Sequence, residues 1–207
     1  MLISRRHRFI FVHIYKNAGT SITQALRPFA TTKWQCRTNM VLKKIKLSHH
    51  DPEPYAVHIP GPELMSRMGK DAFKSYFSFA IVRNPWDWQV SLYTFMLKSR
   101  RHRQHELAKS FGGFDQYIRW RCTHEVRYQK DFVFTPDGEQ VVDFIGRFER
   151  LAEDFHLICS RIGITASLPR ENVSRVKPYQ EYYSEETKEL VRRTFEPDIS
   201  LFKYDFE

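Results

Sequence analysis

The residues best suited to chemistry are a small cluster of polar side chains that follows a short apolar run. Lys16 is followed by Gly19, Thr20 and Ser21. The lysine supplies a positive charge, the glycine lets the backbone approach a ligand closely, and the two hydroxyl groups can donate hydrogen bonds. Together these residues predict a binding site for a phosphate group or an isostere of phosphate.

The flanking sequence predicts how this cluster is positioned. The run that begins at Phe9 is rich in aromatic and β-branched residues, which is typical of a strand buried on both faces in a parallel sheet. After the cluster, apolar residues recur at helical spacing, at Ile22, Ala25, Leu26 and Phe29. A strand–loop–helix unit of this kind directs the backbone N–H groups of residues 17 to 21, and the positive end of the helix dipole, at the loop.

The loop differs from that of nucleoside triphosphatases. Their motif is G-x-x-x-x-G-K-[ST], in which the lysine follows the second glycine. Here Lys16 precedes Gly19, and the motif occurs nowhere in the chain. A nucleotide kinase is therefore disfavoured.

A second strand–turn–helix unit supplies another cation. An apolar run ends at Val82 and is followed by Arg83. The next two residues, an asparagine and a proline, are typical of a helix start, and we predict a helix over 86–98 with Ser91 two turns along it. Because ligands of open α/β sheets bind outside the carboxyl ends of the strands, we expect Arg83 and the Lys16 loop to share one crevice.

The rest of the chain shows weaker patterns between polar loops. The predicted elements are a strand at 55–61, a helix at 63–68, a helix at 114–121, strands in 131–135 and 140–144 joined by a Pro-Asp-Gly turn, a helix within 149–162, and a helix capped by Ser184 and stopped by Pro197.

Length and charge limit the kinds of protein this can be. The 207 residues predict one domain over 1–207, large enough to fold without disulfides. A formal net charge of +9 favours anionic partners. The densest basic run, Lys98–Arg103, contains no aromatic residue on which a base could stack, so nucleic acid is not the expected partner.

Cysteine usage and hydropathy indicate a cellular compartment. Cys36, Cys122 and Cys159 are odd in number and widely spaced, which predicts neither a disulfide framework nor a zinc site. No apolar run approaches the ~18 residues that span a bilayer, and Met1–Arg6 lacks the apolar centre of a signal peptide. We expect a cytoplasmic protein with reduced thiols. The sequence does not indicate the oligomeric state.

Four segments resemble, in the right order, blocks of the sulfotransferase family that uses 3'-phosphoadenosine 5'-phosphosulfate (PAPS), in its carbohydrate-type and bacterial branch. Phe11–Ser21 is similar to the family's 5'-phosphosulfate loop, and Phe79–Asp87 with Ser91 and Tyr93 to its 3'-phosphate element. Residues 143–149 and 198–206 resemble later blocks. One departure is Tyr15, which stands where the family usually has a proline before the lysine.

The resemblance implies a P-loop-like three-layer α/β fold with a central, mainly parallel sheet flanked by helices. It also implies transfer of a sulfuryl group from PAPS to an acceptor hydroxyl, or an amine, by in-line displacement. The expected acceptor is a carbohydrate or glycoconjugate, and the nucleotide product is 3'-phosphoadenosine 5'-phosphate (PAP). A metal ion is not expected, because no carboxylate follows either loop in a magnesium-holding arrangement.

The resemblance assigns roles to individual residues. Lys16 is the expected catalytic cation, and it binds the 5'-phosphosulfate together with Asn17, Ala18, Gly19, Thr20 and Ser21. A charged donor beside a hydroxyl is suited to a phosphate, so the expected readers of the 3'-phosphate are Arg83 and Ser91, joined by Arg175 and Lys177 from a late loop.

The acceptor hydroxyl needs a base that works near neutral pH, and histidine is the side chain best suited to that task. His58 is the first choice, because in the resembling branch a histidine or glutamate precedes the 3'-phosphate strand. The other candidates are His49, His50 and Glu63.

Structural interpretations of the same residues stay open. Arg83 could pair with Asp87, and His58 could be a hydrogen-bonded core residue. A non-catalytic nucleotide-binding protein would keep both cations without the base, and a small-molecule kinase on a P-loop-like fold would need a loop that the chain lacks. The acceptor cannot be read from the sequence, since acceptor choice belongs to variable loops, here 30–55 and 98–130.

Overall fold

The computed structural model describes residues 1–30, 55–169 and 177–207. Its strands are β1 (Leu2–Ser4), β2 (Phe9–Val12), β3 (Phe77–Val82) and β4 (Phe144–Arg147). Its α-helices are α1 (Gly19–Leu26), α2 (Gly61–Met68), α3 (Lys70–Lys74), α4 (Pro85–Lys98), α5 (His105–Ser110), α6 (Phe114–His124), α7 (Leu151–Arg161), α8 (Glu185–Thr194) and α9 (Glu196–Phe202). Short 3-10 helices occur at Arg27–Phe29, Lys130–Phe132, Phe148–Arg150 and Tyr179–Tyr182.

Within the described residues, four strands form one sheet in the order β1-β2-β3-β4. β1 pairs antiparallel with β2, whereas β2, β3 and β4 run parallel, with Val12 opposite Ala80 and Val82 opposite Arg147. The carboxyl ends of the parallel strands therefore meet at one edge of the sheet. The sheet and its helices confirm the predicted α/β fold, with a P-loop-like strand–loop–helix unit from β2 to α1.

The central strands are buried on both faces, as their apolar runs predict. Phe9, Phe11, Phe79 and Ile81 pack in one cluster with Ile22 and Leu26 of α1, with Phe155 and Ile158 of α7, and with Ile162 directly after that helix. The alternate residues of the same strands, Ile10, Val12, Ala80 and Val82, are also buried. Both faces of the central strands therefore contribute to the core.

The chain divides into two compact units. The sheet unit consists of Met1–Val82 and Asp131–Arg170, and the helical unit of Arg83–Lys130 and Glu171–Glu207. The helical unit has an aromatic core of its own, in which the ring of Trp88 meets that of Phe195 at 6.5 Å. The single domain over 1–207 stays a prediction.

Several predicted elements differ from the structure. Residues 55–60 form no strand, and the chain turns there before α2 begins at Gly61. Pro197 does not stop a helix but lies in the first turn of α9, where its missing N–H costs no hydrogen bond. The predicted hairpin is reduced to one bridge between Phe134 and Gln140, and the strand that joins the sheet begins only at Phe144. β1 was not predicted.

The other predicted helices agree closely with their ranges, whereas α3, α5 and α9 were not predicted. Helix α4 begins with Asn84 as its N-cap, whose Oδ1 accepts a hydrogen bond from the Trp86 N–H at 3.1 Å. Ser184 caps α8 through a capping box with Thr187. Among the described residues, no helix has the length and apolar character needed to span a bilayer.

Candidate functional site

The loop between β2 and α1 has an unusual backbone. Lys16 and Ala18 adopt positive φ angles of 64° and 56°, a left-handed conformation that non-glycine residues rarely adopt. Asn17 lies between them, is 1% exposed, and donates from Nδ2 to the Ile81 carbonyl at 2.8 Å. This bond fastens the loop to the carboxyl end of β3. The local strain is therefore held by the sheet, as is common at ligand-binding loops.

The first turn of α1 has polar groups without side-chain partners among the described residues. Ala18 is the N-cap and contributes no side-chain hydrogen bond, so the first N–H groups of the helix have no side-chain cap. Thr20 is exposed and Gly19 is buried. The Ser21 hydroxyl is buried and has no hydrogen-bond partner among the described residues. A buried polar atom of this kind calls for a partner that a bound oxyanion can supply.

His58 lies against the same loop, although 45 residues separate it from His13. Its Nδ1 is 3.0 Å from the His13 carbonyl oxygen, and the two imidazole rings are 4.4 Å apart. A carbonyl can only accept, so Nδ1 carries the proton of this bond, and in the neutral ring the lone pair belongs to Nε2. Desolvation against the loop lowers the pKa of His58 below its ordinary value of 6.5. The ring is therefore neutral near pH 7 and suited to accept a proton.

One further aromatic ring lies beside this histidine, which is itself exposed to solvent. Tyr15 meets the His58 ring edge-on at 6.0 Å and the Phe132 ring at 6.2 Å. The residue that replaces the proline of the resembling family thus forms an aromatic wall beside the candidate base. The sequence marked Tyr15 only as a departure from the family's usual proline, and no local pattern indicated these contacts.

In the helical unit, Arg83 is held by two side chains of α4. It is 4% exposed, and it donates from Nε to Asp87 Oδ2 at 2.8 Å and from Nη1 to Ser91 Oγ at 3.0 Å. The structural pairing of Arg83 with Asp87 is thus present, and the predicted partner Ser91 joins it. The Ser91 oxygen accepts from Arg83, so its own O–H group can still donate to an acceptor.

The backbone of Arg83 is fixed by residues that sequence reasoning missed. Gln129 accepts from the Arg83 N–H at 2.9 Å and donates to the Arg83 carbonyl at 2.7 Å. Asp198 in turn accepts from the backbone N–H of Gln129 at 2.7 Å and of Lys130 at 2.9 Å, and it is fully buried. A glutamine and an aspartate far apart in sequence carry no periodic signal, so only the structure reveals these hydrogen bonds around the Arg83 backbone.

The other candidates have separate surroundings. Glu63, in the first turn of α2, pairs with Arg67 at 2.6 Å, and both side chains are about half exposed. Lys177 donates to the Glu181 carbonyl at 3.0 Å. His49, His50 and Arg175 lie outside the described residues. Within the described ranges, no group of three or more histidine, cysteine or acidic side chains is placed to hold a metal ion.

Comparison with known proteins decides the family. A profile described as the sulfotransferase family matches residues 1–205. The chain belongs to the sulfotransferase family. This sulfotransferase is also similar to an uncharacterized protein of Archaeoglobus fulgidus, with 29% identity over 113 residues that cover 53% of this chain and 87% of that protein. The family membership supports transfer of a sulfuryl group from a donor to an acceptor, and it leaves the identity of both molecules to further argument.

Proposed function

We propose that this sulfotransferase moves the sulfuryl group of PAPS to a hydroxyl group of a carbohydrate or glycoconjugate acceptor, and releases PAP. The observation that carries the proposal is the β2–α1 loop. It combines Lys16 with an uncapped helix start and the unsatisfied Ser21 hydroxyl, and it has a neutral histidine, His58, packed against it.

Sulfuryl transfer resembles phosphoryl transfer in needing alignment of the reacting atoms and stabilisation of negative charge on the oxygens. The positive end of α1, its first N–H groups and Lys16 are suited to that charge. We assign the 5'-phosphosulfate to this loop, in contact with residues 16 to 21. The strained backbone at Lys16 and Ala18 supports the assignment, because strain of this kind is typical of ligand loops.

We assign His58 as the base that removes the proton of the acceptor hydroxyl. Its Nδ1 is engaged by the loop carbonyl, so Nε2 is the atom that accepts the proton as the hydroxyl oxygen attacks sulfur. The S–O bond to the nucleotide phosphate breaks on the opposite side, and the phosphate leaves with the bonding electrons. Glu63 is a weaker candidate, because Arg67 occupies its carboxylate.

We assign the 3'-phosphate to Arg83 and Ser91. Asp87 and Ser91 hold two nitrogens of the guanidinium, so its plane is fixed before a ligand arrives. A fixed guanidinium loses little freedom when it meets a phosphate, which favours binding. Arg175 and Lys177 stay proposed contributors to the same phosphate.

Calorimetry with PAP and a transfer assay with 35S-labelled PAPS test these roles separately. Lys16→Ala should weaken PAP binding about 10- to 100-fold, the usual contribution of a charged hydrogen bond. His58→Ala should leave PAP affinity within about threefold and reduce kcat about 10²- to 10⁴-fold. The matched controls are Lys74→Ala and His156→Ala, which alter exposed residues of the sheet unit.

Two outcomes would contradict the proposal. Absence of PAP binding by the wild-type protein would exclude the nucleotide donor. PAP binding that is unchanged by Lys16→Ala would remove the loop from the site. A panel of neutral and acidic oligosaccharides, phenols and amines in the same assay identifies the acceptor class, and transfer confined to phenols or amines would overturn the carbohydrate assignment.

A further inference from the structure

We propose that His13 is a positioning residue, whose imidazole ring separates Gly19 from His58 and holds His58 in place against the first turn of α1. The inference rests on the proposed role of His58 as the base. It concerns a residue that does not itself touch the reacting atoms.

On one side, the His13 ring lies directly against Gly19. A Cβ atom added at Gly19 would lie 1.6 Å from His13 Nε2 and 2.0 Å from His13 Cδ2. Such an approach is impossible for any side chain, so the imidazole occupies the space that a residue larger than glycine would need. The His13 ring also stacks on Phe11 at 5.5 Å with a 19° interplanar angle. The ring is therefore fixed between β2 and the first residue of α1.

On its other side, His13 contacts His58. The rings are 4.4 Å apart, and the backbone carbonyl of His13 accepts the Nδ1–H of His58. The main chain of His13 thus selects the tautomer of His58, while its side chain sets the distance of the ring from α1. His58 lies in a turn outside any helix or strand, so contacts of this kind, more than secondary structure, fix its position.

A spacer beside a base must remain uncharged, since a second positive charge would oppose protonation of His58. Burial lowers the pKa of His13 to about 3. The other groups that face the pair are the ring of Tyr15 and the amino group of Met1, and Lys16 belongs to the same loop. A phenylalanine would be an uncharged planar ring of similar size, which provides a conservative replacement.

Steady-state kinetics with PAPS and the best acceptor provide the first test. His13→Ala should lower kcat about 10- to 100-fold, the range expected when a catalytic group shifts by about 1 Å. The KM for PAPS and the PAP dissociation constant should stay within about threefold. His13→Phe should restore most of kcat, and His156→Ala, on an exposed residue of α7, should match the wild type. Loss of PAP affinity in parallel with kcat in both His13 variants would overturn the proposal.

A double-mutant cycle separates positioning from general damage. If His13 acts through His58, then adding His13→Ala to His58→Ala should change the residual rate by less than about twofold. If the rate losses of the two single variants instead multiply in the double variant, His13 acts independently of His58, and the proposal would be wrong.

NMR of the histidine rings gives a readout that does not depend on sulfotransferase activity. The 15N shifts of His58 should show the Nδ1–H tautomer and a pKa below the ordinary value. His13→Ala removes ring contacts that contribute to the desolvation of His58, so that pKa should rise toward 6.5. An unchanged His58 titration would overturn the proposal. If instead the shift is seen but no transfer is found with any acceptor, the positioning contact stands and the proposed catalytic role fails.

Discussion

Replacing Asp87 by asparagine tests the buried cation of the helical unit. Asp87 Oδ2 lies 2.8 Å from Arg83 Nε, and the two side chains are 6% and 5% exposed. Asparagine has nearly the same shape, so packing is preserved while the negative charge disappears. The variant leaves a buried guanidinium without its carboxylate.

The expected cost follows from the burial of the pair. Removing one partner of a buried ion pair destabilises a protein by about 3–5 kcal/mol, and retention of an amide acceptor places this variant near the lower end. For a chain of this size, about 3 kcal/mol corresponds to a fall in Tm of roughly 6–12 °C. PAP should offset part of the loss, because a phosphate placed at Arg83 would supply the missing negative charge.

The chain provides a matched control in the same unit. Asp115 Oδ2 lies 2.8 Å from Arg119 Nε with the same spacing of four residues, but these side chains are 46% and 40% exposed. Asp115→Asn should leave Tm within error of the wild type, because exposed ion pairs contribute little.

Differential scanning calorimetry with and without saturating PAP provides the assay. We expect Asp87→Asn to show the large fall in Tm and a larger PAP-induced rise than the wild type. A fall in Tm no greater than that of Asp115→Asn would refute the energetic reasoning. A PAP-induced rise smaller than that of the wild type would refute the placement of the 3'-phosphate at Arg83.

Three further predictions concern stability and pH. Folding lowers the pKa of His13 to about 3, so as the pH falls below 6.5 the unfolded chain binds this proton before the folded protein does. The stability that neutral His13 allows is therefore complete above pH 6.5 and is lost as the pH falls toward 3. Denaturant titrations should show the wild type losing up to about 1.4 kcal/mol of unfolding free energy per pH unit relative to His13→Phe. Gly19→Ala should destabilise by about 1–3 kcal/mol through its clash with His13, and adding His13→Ala should recover much of this loss in the same titrations. The kcat/KM of the wild type should hold its plateau to below pH 6.5, because the pKa of His58 is lowered, and a fall beginning above that pH would contradict its assignment as the base.

The loop and its helix could be predicted from the sequence because their signals are local. The apolar run at Phe9–Val12 specifies a strand buried on both faces, and the small residues after Lys16 specify a turn into α1. The cap of α4 is equally local, since Asn84 and the proline after it act within one turn. The predicted hairpin near Phe134 shows where local signals fail. Its turn residues predict a reversal of the chain, but they do not determine how many residues of the two segments pair, and only one bridge forms.

Tertiary structure alone decided the surroundings of the candidate base and of the buried arginine. His58 contacts His13, 45 residues away in the sequence, and Gln129 hydrogen-bonds the backbone of Arg83, 46 residues away. Contacts at such separations follow from how the strands and helices pack, and no periodicity or spacing along the chain encodes them. The sequence by itself therefore determined a strand–loop–helix unit with a lysine in its loop and an arginine directly after the next parallel strand. Packing decided which histidine meets that loop and what holds the arginine in place.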